Sequence, residues 1–179
     1  MHMSEQEGTL AALRLAIRNE IAGQRFYHDA AFYCIDPWAK DVFANLVHEE
    51  EVHTQLLLVQ YEALEKTGEW VEVEQALERE ANIEITMLNF SGDEVEAELF
   101  PPEWSAGGAV DRRADDLAAL AFGIRMEQEA ISLYNRERAN TSDPSAKTAY
   151  GFLIEEESRH YDQLKSQWER LSGEPFSEI

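Results

Sequence analysis

Apolar side chains recur every three or four residues along four stretches of the chain, which is the spacing that places them on one face of an α-helix. Two of these stretches begin with aspartate and proline, at Asp36-Pro37 and Asp143-Pro144, a pairing of an N-cap residue with proline at the first helical position. Gly68 lies where the second stretch ends. The pattern predicts four amphipathic helices, over about 9–34, 37–66, 112–140 and 144–171.

Residues 67–111 separate the second helix from the third, and the glycine and proline pairs within them exclude one continuous helix. We expect short helical pieces here, such as 71–80, because a structureless connection of this length is uncommon. We also expect 91–104 to form a solvent-exposed strap anchored by Leu99, Phe100 and Trp104. The chain length suits one domain, 1–179, and the predicted fold class is all-α: a four-helix bundle of two helical hairpins joined by a long crossover.

The second hairpin repeats the first at a constant offset of 107 residues. "AIRNEIAGQRFY" (16–27) aligns with "GIRMEQEAISLY" (123–134), and "DPWAKDVFANLVHEEEVH" (36–53) aligns with "DPSAKTAYGFLIEEESRH" (143–160). A Glu-x-x-His spacing that occurs once is a weak indication of a metal site, but chance does not reproduce it in the register that also aligns the helix starts. Among residues with metal-binding side chains, the pairs that the offset relates include Glu20 with Glu127, Glu50 with Glu157, and His53 with His160.

Within "HEEEVH", only Glu50 both recurs in the second hairpin and has a histidine three residues later. Such a pair lies one helical turn apart on the same face. His48 and Glu51 are not reproduced in the second hairpin. Glu49 recurs as Glu156, but neither has a histidine three residues on.

Glu20 and Glu127 fall on the apolar faces of the first and third helices, where no lysine or arginine lies at the same level. A buried glutamate costs several kcal/mol unless it is paired. Glu20 and Glu50 lie about equally far from their hairpin turn, so an antiparallel hairpin brings them to one height. Two divalent cations would balance the four carboxylates, and ligands without thiolate suit iron or manganese better than structural zinc. The alternative is a buried polar cluster that is satisfied without metal.

Composition excludes several other classes of protein. A single cysteine, Cys34, excludes an internal disulfide and a CxxC metal knuckle, and we expect it to be a packed or partly exposed thiol. The net charge of −21 argues against nucleic acids and anionic membranes as partners. Neither a transmembrane stretch nor a signal-peptide pattern is evident, so we expect a cytoplasmic location. His28 is expected at the surface.

The ligand pattern resembles that of the rubrerythrin branch of the ferritin-like superfamily, in which two helices supply one glutamate each and two supply Glu-x-x-His. The resemblance extends over about 9–66 and 112–171, and it implies a ferritin-like bundle with a dinuclear iron site. In the implied site the bridging carboxylates are Glu50 and Glu157, the terminal carboxylates are Glu20 and Glu127, and the histidine ligands, one to each metal, are His53 and His160.

The same resemblance implies an activity. Rubrerythrins oxidise ferrous iron with hydrogen peroxide or dioxygen, so we expect those oxidants, an external electron donor of unknown identity and a homodimer. Tyr27 and Tyr134 match family tyrosines that hydrogen-bond to ligating carboxylates. There are two departures: one cysteine leaves these residues without a rubredoxin-type iron site, and Ala130, matched by Gly23, replaces an extra family carboxylate. The small residues leave an open face on the metals, closer to the bacterioferritin ligand set.

Two other functions compete with this one. An iron-storage subunit of a ferritin-type cage would use the same ferroxidase chemistry, but such cages normally need a fifth helix. Only eight residues follow Leu171, which argues against the cage. A purely structural acidic bundle would have no use for a duplicated set of ligands.

Overall fold

The computed structural model describes residues 5–83, 85–88 and 112–177 of the chain. Its helices, in chain order, are α1 (Glu5–Tyr33), α2 (Pro37–Thr67), α3 (Val73–Leu77), a short 3₁₀-helix (Ile85–Leu88), α4 (Arg112–Asn140) and α5 (Pro144–Ser172). The predicted all-α bundle is therefore confirmed, and a short helix does lie within 71–80. The expected strap over 91–104 lies outside the described residues.

Side-chain caps begin the second helix of each hairpin. The Asp36 carboxylate accepts a hydrogen bond of 2.9 Å from the backbone N–H of Ala39, and Asp143 caps α5 in the same way. Each of these helices ends at a glycine in the left-handed region, Gly68 with φ of 75° and Gly173 with φ of 80°. A side chain with a Cβ rarely adopts that conformation, so glycine suits both ends.

The two hairpins, α1 with α2 and α4 with α5, meet along α1–α4 and α2–α5. Asp116 on α4 ties the second hairpin to the turn of the first, since its buried carboxylate accepts hydrogen bonds from the backbone N–H groups of Ile35 (3.1 Å) and Asp36 (2.8 Å). Cys34, in the same turn, is buried, and His28 is exposed as predicted.

The core consists of two apolar clusters, one towards each end of the bundle. Large members of the first are Leu13, Ile17, Leu57, Tyr134, Tyr150 and Leu153. Large members of the second are Phe26, Tyr27, Phe43, Leu46, Leu120, Ile124 and Leu164. Along each long helix, the predicted ligand glutamate lies between residues of the two clusters. The fold thus places a polar layer in the middle of an apolar interior.

Only the start of the crossover is described, and it packs against α2. The side-chain amide of Gln60 donates a hydrogen bond to the Val71 carbonyl (2.7 Å) and accepts one from the Val71 N–H (2.9 Å). Val73 and Ala76 of α3, a helix that contacts α2, are buried. Among the described residues, no helix is both long enough and apolar enough to cross a membrane.

Candidate metal centre

All six predicted ligands lie in the polar layer between the two apolar clusters. The helices α1 and α4 supply one glutamate each, and α2 and α5 supply one Glu-x-x-His pair each. None of the six is more than 3 % exposed, so the layer is shielded from bulk water. The residues are Glu20, Glu50, His53, Glu127, Glu157 and His160.

Glu50 and Glu157 lie at the centre of the layer and each faces both histidines. The two oxygens of Glu157 lie 3.0 Å from His53 Nδ1 and 2.9 Å from His160 Nδ1. The two oxygens of Glu50 lie 3.6 Å and 3.3 Å from the same two nitrogens. The imidazole rings are nearly parallel, with centroids 5.3 Å apart. A carboxylate with one oxygen directed to each of two imidazoles has the orientation required to bridge two metal ions.

Glu20 and Glu127 lie at opposite sides of this central group. Glu20 Oε2 is 3.4 Å from His53 Nδ1, and Glu127 Oε1 is 3.7 Å from His160 Nδ1. Each of these carboxylates therefore approaches only one histidine. The layer divides into two halves, each with one histidine and one outer glutamate, which share the two central glutamates.

Several buried atoms of the layer make no hydrogen bond of good geometry within the described part of the chain. They are Glu20 Oε2, both oxygens of Glu157, His53 Nδ1 and His160 Nδ1. Unsatisfied buried polar groups are costly and rare, and a bound ion is one of the standard reasons for them. Glu50, His53, Glu157 and His160 each offer an atom within 4.8 Å of the others, so these four side chains could hold a metal ion. The donor set and its unsatisfied atoms fit a cation.

The layer perturbs the acid–base properties of its members. Burial and the charge of Glu157 raise the pKa values of Glu50 and Glu127 well above the usual value. Burial also opposes ionisation of Glu157, but the two adjacent imidazoles outweigh it and lower the pKa to about 2. Burial opposes charging of His53, yet the carboxylates around it raise its pKa. Protons therefore compensate part of the negative charge when metal is absent, and metal binding must displace them.

Two tyrosines connect the halves across the hairpin interface. The Tyr27 hydroxyl donates a hydrogen bond to Glu127 Oε1, and the Tyr134 hydroxyl donates one to Glu20 Oε1. Both hydrogen bonds to carboxylates that the resemblance implied are therefore present. Burial and the nearby glutamates raise the pKa of both tyrosines, so each stays protonated and remains a donor. Gly123 on α4 leaves room for the Tyr27 ring, since a Cβ at this position would lie 3.3 Å from Tyr27 Cε1.

Two glutamates outside the predicted ligand set also approach the histidines. Glu49 Oε2 lies 2.7 Å from His160 Nε2, and Glu156 Oε2 lies 4.0 Å from His53 Nε2. Each approaches the imidazole of the opposite hairpin, which no spacing within one helix reveals. The signal that could have found them was the repeat, because Glu49 and Glu156 are related by the same offset as the ligands.

A cavity of about 90 Å³ adjoins the layer between α1 and α4. The four layer glutamates, Tyr27, Gly23 and Ala130 all contribute to its wall. Gly23 and Ala130 are repeat-related, and the absence of larger side chains at both positions leaves the space beside Glu50 and Glu157 open. The cavity is large enough for a few water-sized molecules.

Of three comparisons with known proteins, one gave a match, and it agrees with this arrangement. Neither the curated proteins nor the solved structures gave a match to the chain. The rubrerythrin family model matches residues 11–167, a span that contains all six predicted ligands and both tyrosines. With that match over most of its length, on a ferritin-like four-helix bundle with a buried Glu/His cluster, the chain belongs to the rubrerythrin family.

Proposed function

We propose that the protein is a non-haem di-iron oxidoreductase that oxidises ferrous iron with hydrogen peroxide or dioxygen. The observation that carries this proposal is the pair of buried imidazole Nδ1 atoms, each directed at a different oxygen of Glu157 without a hydrogen bond. Family membership supports the di-iron assignment. Carboxylate and imidazole donors without thiolate suit iron, and manganese is the second choice.

In the proposed site, Glu50 and Glu157 would be shared by two metal ions. Glu20 and His53 would complete one position, and Glu127 and His160 would complete the other. This division follows the distances, because each outer glutamate approaches one histidine while each central glutamate approaches both. When bound, two ferrous ions would supply two electrons, which with two protons convert one hydrogen peroxide into two water molecules. An external donor would then return the electrons.

The surrounding residues have three tasks in this proposal. The apolar clusters on either side keep bulk water from the layer, which strengthens its electrostatic interactions. Tyr27 and Tyr134 hold the outer glutamates in position through their hydrogen bonds. The cavity beside Gly23 and Ala130 would admit a small oxidant to Glu50 and Glu157.

A second candidate is an iron-handling protein whose main role is ferroxidase activity. The observation that favours it is that Gly23 and Ala130 line the cavity at two repeat-related positions, so neither position supplies a further carboxylate. The two candidates share a metal centre and differ in the fate of the oxidised iron. An oxidoreductase returns to the diferrous state with a donor, whereas an iron-storage protein accumulates ferric mineral.

The experiment is anaerobic iron loading followed by addition of hydrogen peroxide. We expect about two irons per chain and loss of one peroxide per diferrous site. The variant Glu157→Ala should lose both, because it removes a carboxylate that faces both histidines. Glu155→Ala is the matched control, since it removes an exposed glutamate two residues away on the same helix.

Iron content that is unchanged in Glu157→Ala would overturn the proposed site. Peroxide loss at the same rate in iron-free protein would overturn the proposed activity. Accumulation of many ferric ions per chain would favour the iron-storage candidate.

A further inference from the structure

The two halves of the metal centre are not equivalent, and the difference begins with one residue pair. The 107-residue repeat aligns Arg159 on α5 with Val52 on α2. Arg159 thus has no counterpart in the first hairpin. Its guanidinium pairs with Glu156 through Nη2 and with Glu49 through Nη1, the latter at 3.3 Å from Oε1.

Arg159 uses these two carboxylates differently. On Glu49 it contacts Oε1, which leaves Oε2 directed at His160 Nε2 at 2.7 Å. On Glu156 it contacts Oε2, the same oxygen that faces His53 Nε2 and lies 4.0 Å from it. The arginine therefore orients Glu49 towards one imidazole and holds Glu156 away from the other.

The Glu49–His160 contact has no competing partner. Glu49 Oε2 and His160 Nε2 are both buried, and neither makes a hydrogen bond of good geometry within the described chain. Their separation of 2.7 Å is within hydrogen-bond length for a ring N–H and a carboxylate oxygen. A carboxylate on the outer nitrogen of a metal-binding histidine holds the ring in position and raises its basicity as a ligand. Losing such a partner typically lowers metal affinity 10–100-fold.

We infer that Arg159 makes the two metal positions unequal, so that the position of Glu127 and His160 takes up a divalent cation before the position of Glu20 and His53. The inference rests on the proposed metal centre. It concerns Glu49, Glu156 and Arg159, which lie around the six proposed ligands and are not ligands themselves.

The test is stepwise binding of Co²⁺, followed anaerobically by calorimetry and visible absorption. Two close cations repel each other, so the second step is weaker even in a symmetric centre. The decisive comparison is therefore between repeat-related variants. Glu49→Gln should lower the affinity for the first Co²⁺ about tenfold. Glu156→Gln, which removes the same charge from the equivalent position, should change it less than about twofold, because that carboxylate does not reach His53.

A swap variant tests the arginine itself. In R159V/V52R the unmatched arginine moves to the first hairpin, where it should hold Glu49 and release Glu156. The effects of Glu49→Gln and Glu156→Gln on the first step should then exchange. The swap removes one arginine and adds one, so the net charge is unchanged and cannot account for an exchange of the two effects.

Equal weakening of the first step by Glu49→Gln and Glu156→Gln would overturn the inference and leave the metal centre intact. A ranking that does not change in the swap variant would remove Arg159 from the explanation. Failure of the unaltered protein to bind Co²⁺ would instead count against the proposed metal centre.

Discussion

The hydroxyl of Tyr27 on α1 donates a hydrogen bond to Glu127 on α4, so a side chain of the first hairpin positions a carboxylate of the second. The repeat-related pair, Tyr134 and Glu20, does the same in the opposite direction. The ring of Tyr27 is stacked on Phe43, with centroids 5.8 Å apart, which restricts where the hydroxyl can point. These crossed hydrogen bonds couple the packing of the hairpins to the geometry of the polar layer.

Replacing Tyr27 by phenylalanine tests that coupling. The variant keeps the ring but leaves Glu127 without its buried donor, so the free energy of unfolding should fall by about 1–3 kcal/mol. Chemical denaturation of metal-free protein measures this. Tyr61→Phe is the control, because the Tyr61 hydroxyl bonds to Arg14 outside the layer. A loss in Tyr27→Phe no larger than in the control would contradict the proposed positioning role.

The central and outer glutamates should differ in their effect on metal retention. Alanine at Glu50 or Glu157 should lower metal retention more than alanine at Glu20 or Glu127, because in the proposed site each central carboxylate is shared by both metals. Elemental analysis after gel filtration gives the metal content of each variant. Equal retention in all four variants would refute the ranking and, with it, the bridging roles.

Removing metal should lower stability, and the loss should grow with pH. Binding to the folded state alone adds about 2.7 kcal/mol at a hundredfold excess of free metal over Kd. In metal-free protein, the raised pKa values of Glu50, Glu127 and His53 contribute stability that is present at low pH and is lost as pH rises through those values. The lowered pKa of Glu157 has the opposite sign, but its contribution is lost only as pH falls towards about 2.

Thermal unfolding of metal-free protein should therefore shift to lower temperature between about pH 5 and pH 8. Metal-loaded protein should show a smaller or opposite shift, because the metals displace the protons. Melting that does not change after confirmed chelation would show that the carboxylates are neutralised in another way.

The residues of the cavity wall lead to a prediction about which oxidants the site accepts. Gly23 and Ala130 offer no spare carboxylate, so we expect His53 and His160 to remain ligands in both oxidation states. The diferrous site should then react with dioxygen as well as with hydrogen peroxide. Stopped-flow mixing of anaerobic diferrous protein with each oxidant measures both rates. Oxidation by dioxygen a thousandfold slower than by peroxide, roughly 4 kcal/mol in barrier, would contradict the expectation.

Ala130→Glu places a carboxylate at this wall and should shift the preference towards peroxide. Ala130→Leu is the matched control, since it fills the space without charge. An equal shift in both variants would indicate that cavity volume, rather than a movable ligand, determines the preference.

Much of this protein was predictable from local pattern. Asp36-Pro37 and Asp143-Pro144 locate two helix starts, because capping depends on neighbouring residues. The repeat singled out Glu50 and His53 among several acidic neighbours, since duplicated spacing on a helix determines which side chains share a face. The beginning of α1 was less predictable: it starts at Glu5, where the Gln6 amide donates a hydrogen bond to the Leu64 carbonyl of α2.

Periodicity and repetition are properties of the chain, so the sequence was sufficient to predict the helices, their pairing into two related hairpins and the six candidate ligands. The folded bundle was needed to show which oxygen faces which imidazole, that Glu49 reaches His160, and that Arg159 pairs with both Glu49 and Glu156. The Glu49–His160 and Arg159–Glu49 contacts cross from one hairpin to the other. They depend on the height and rotation at which the hairpins pack, and the packing of the two apolar clusters sets both quantities.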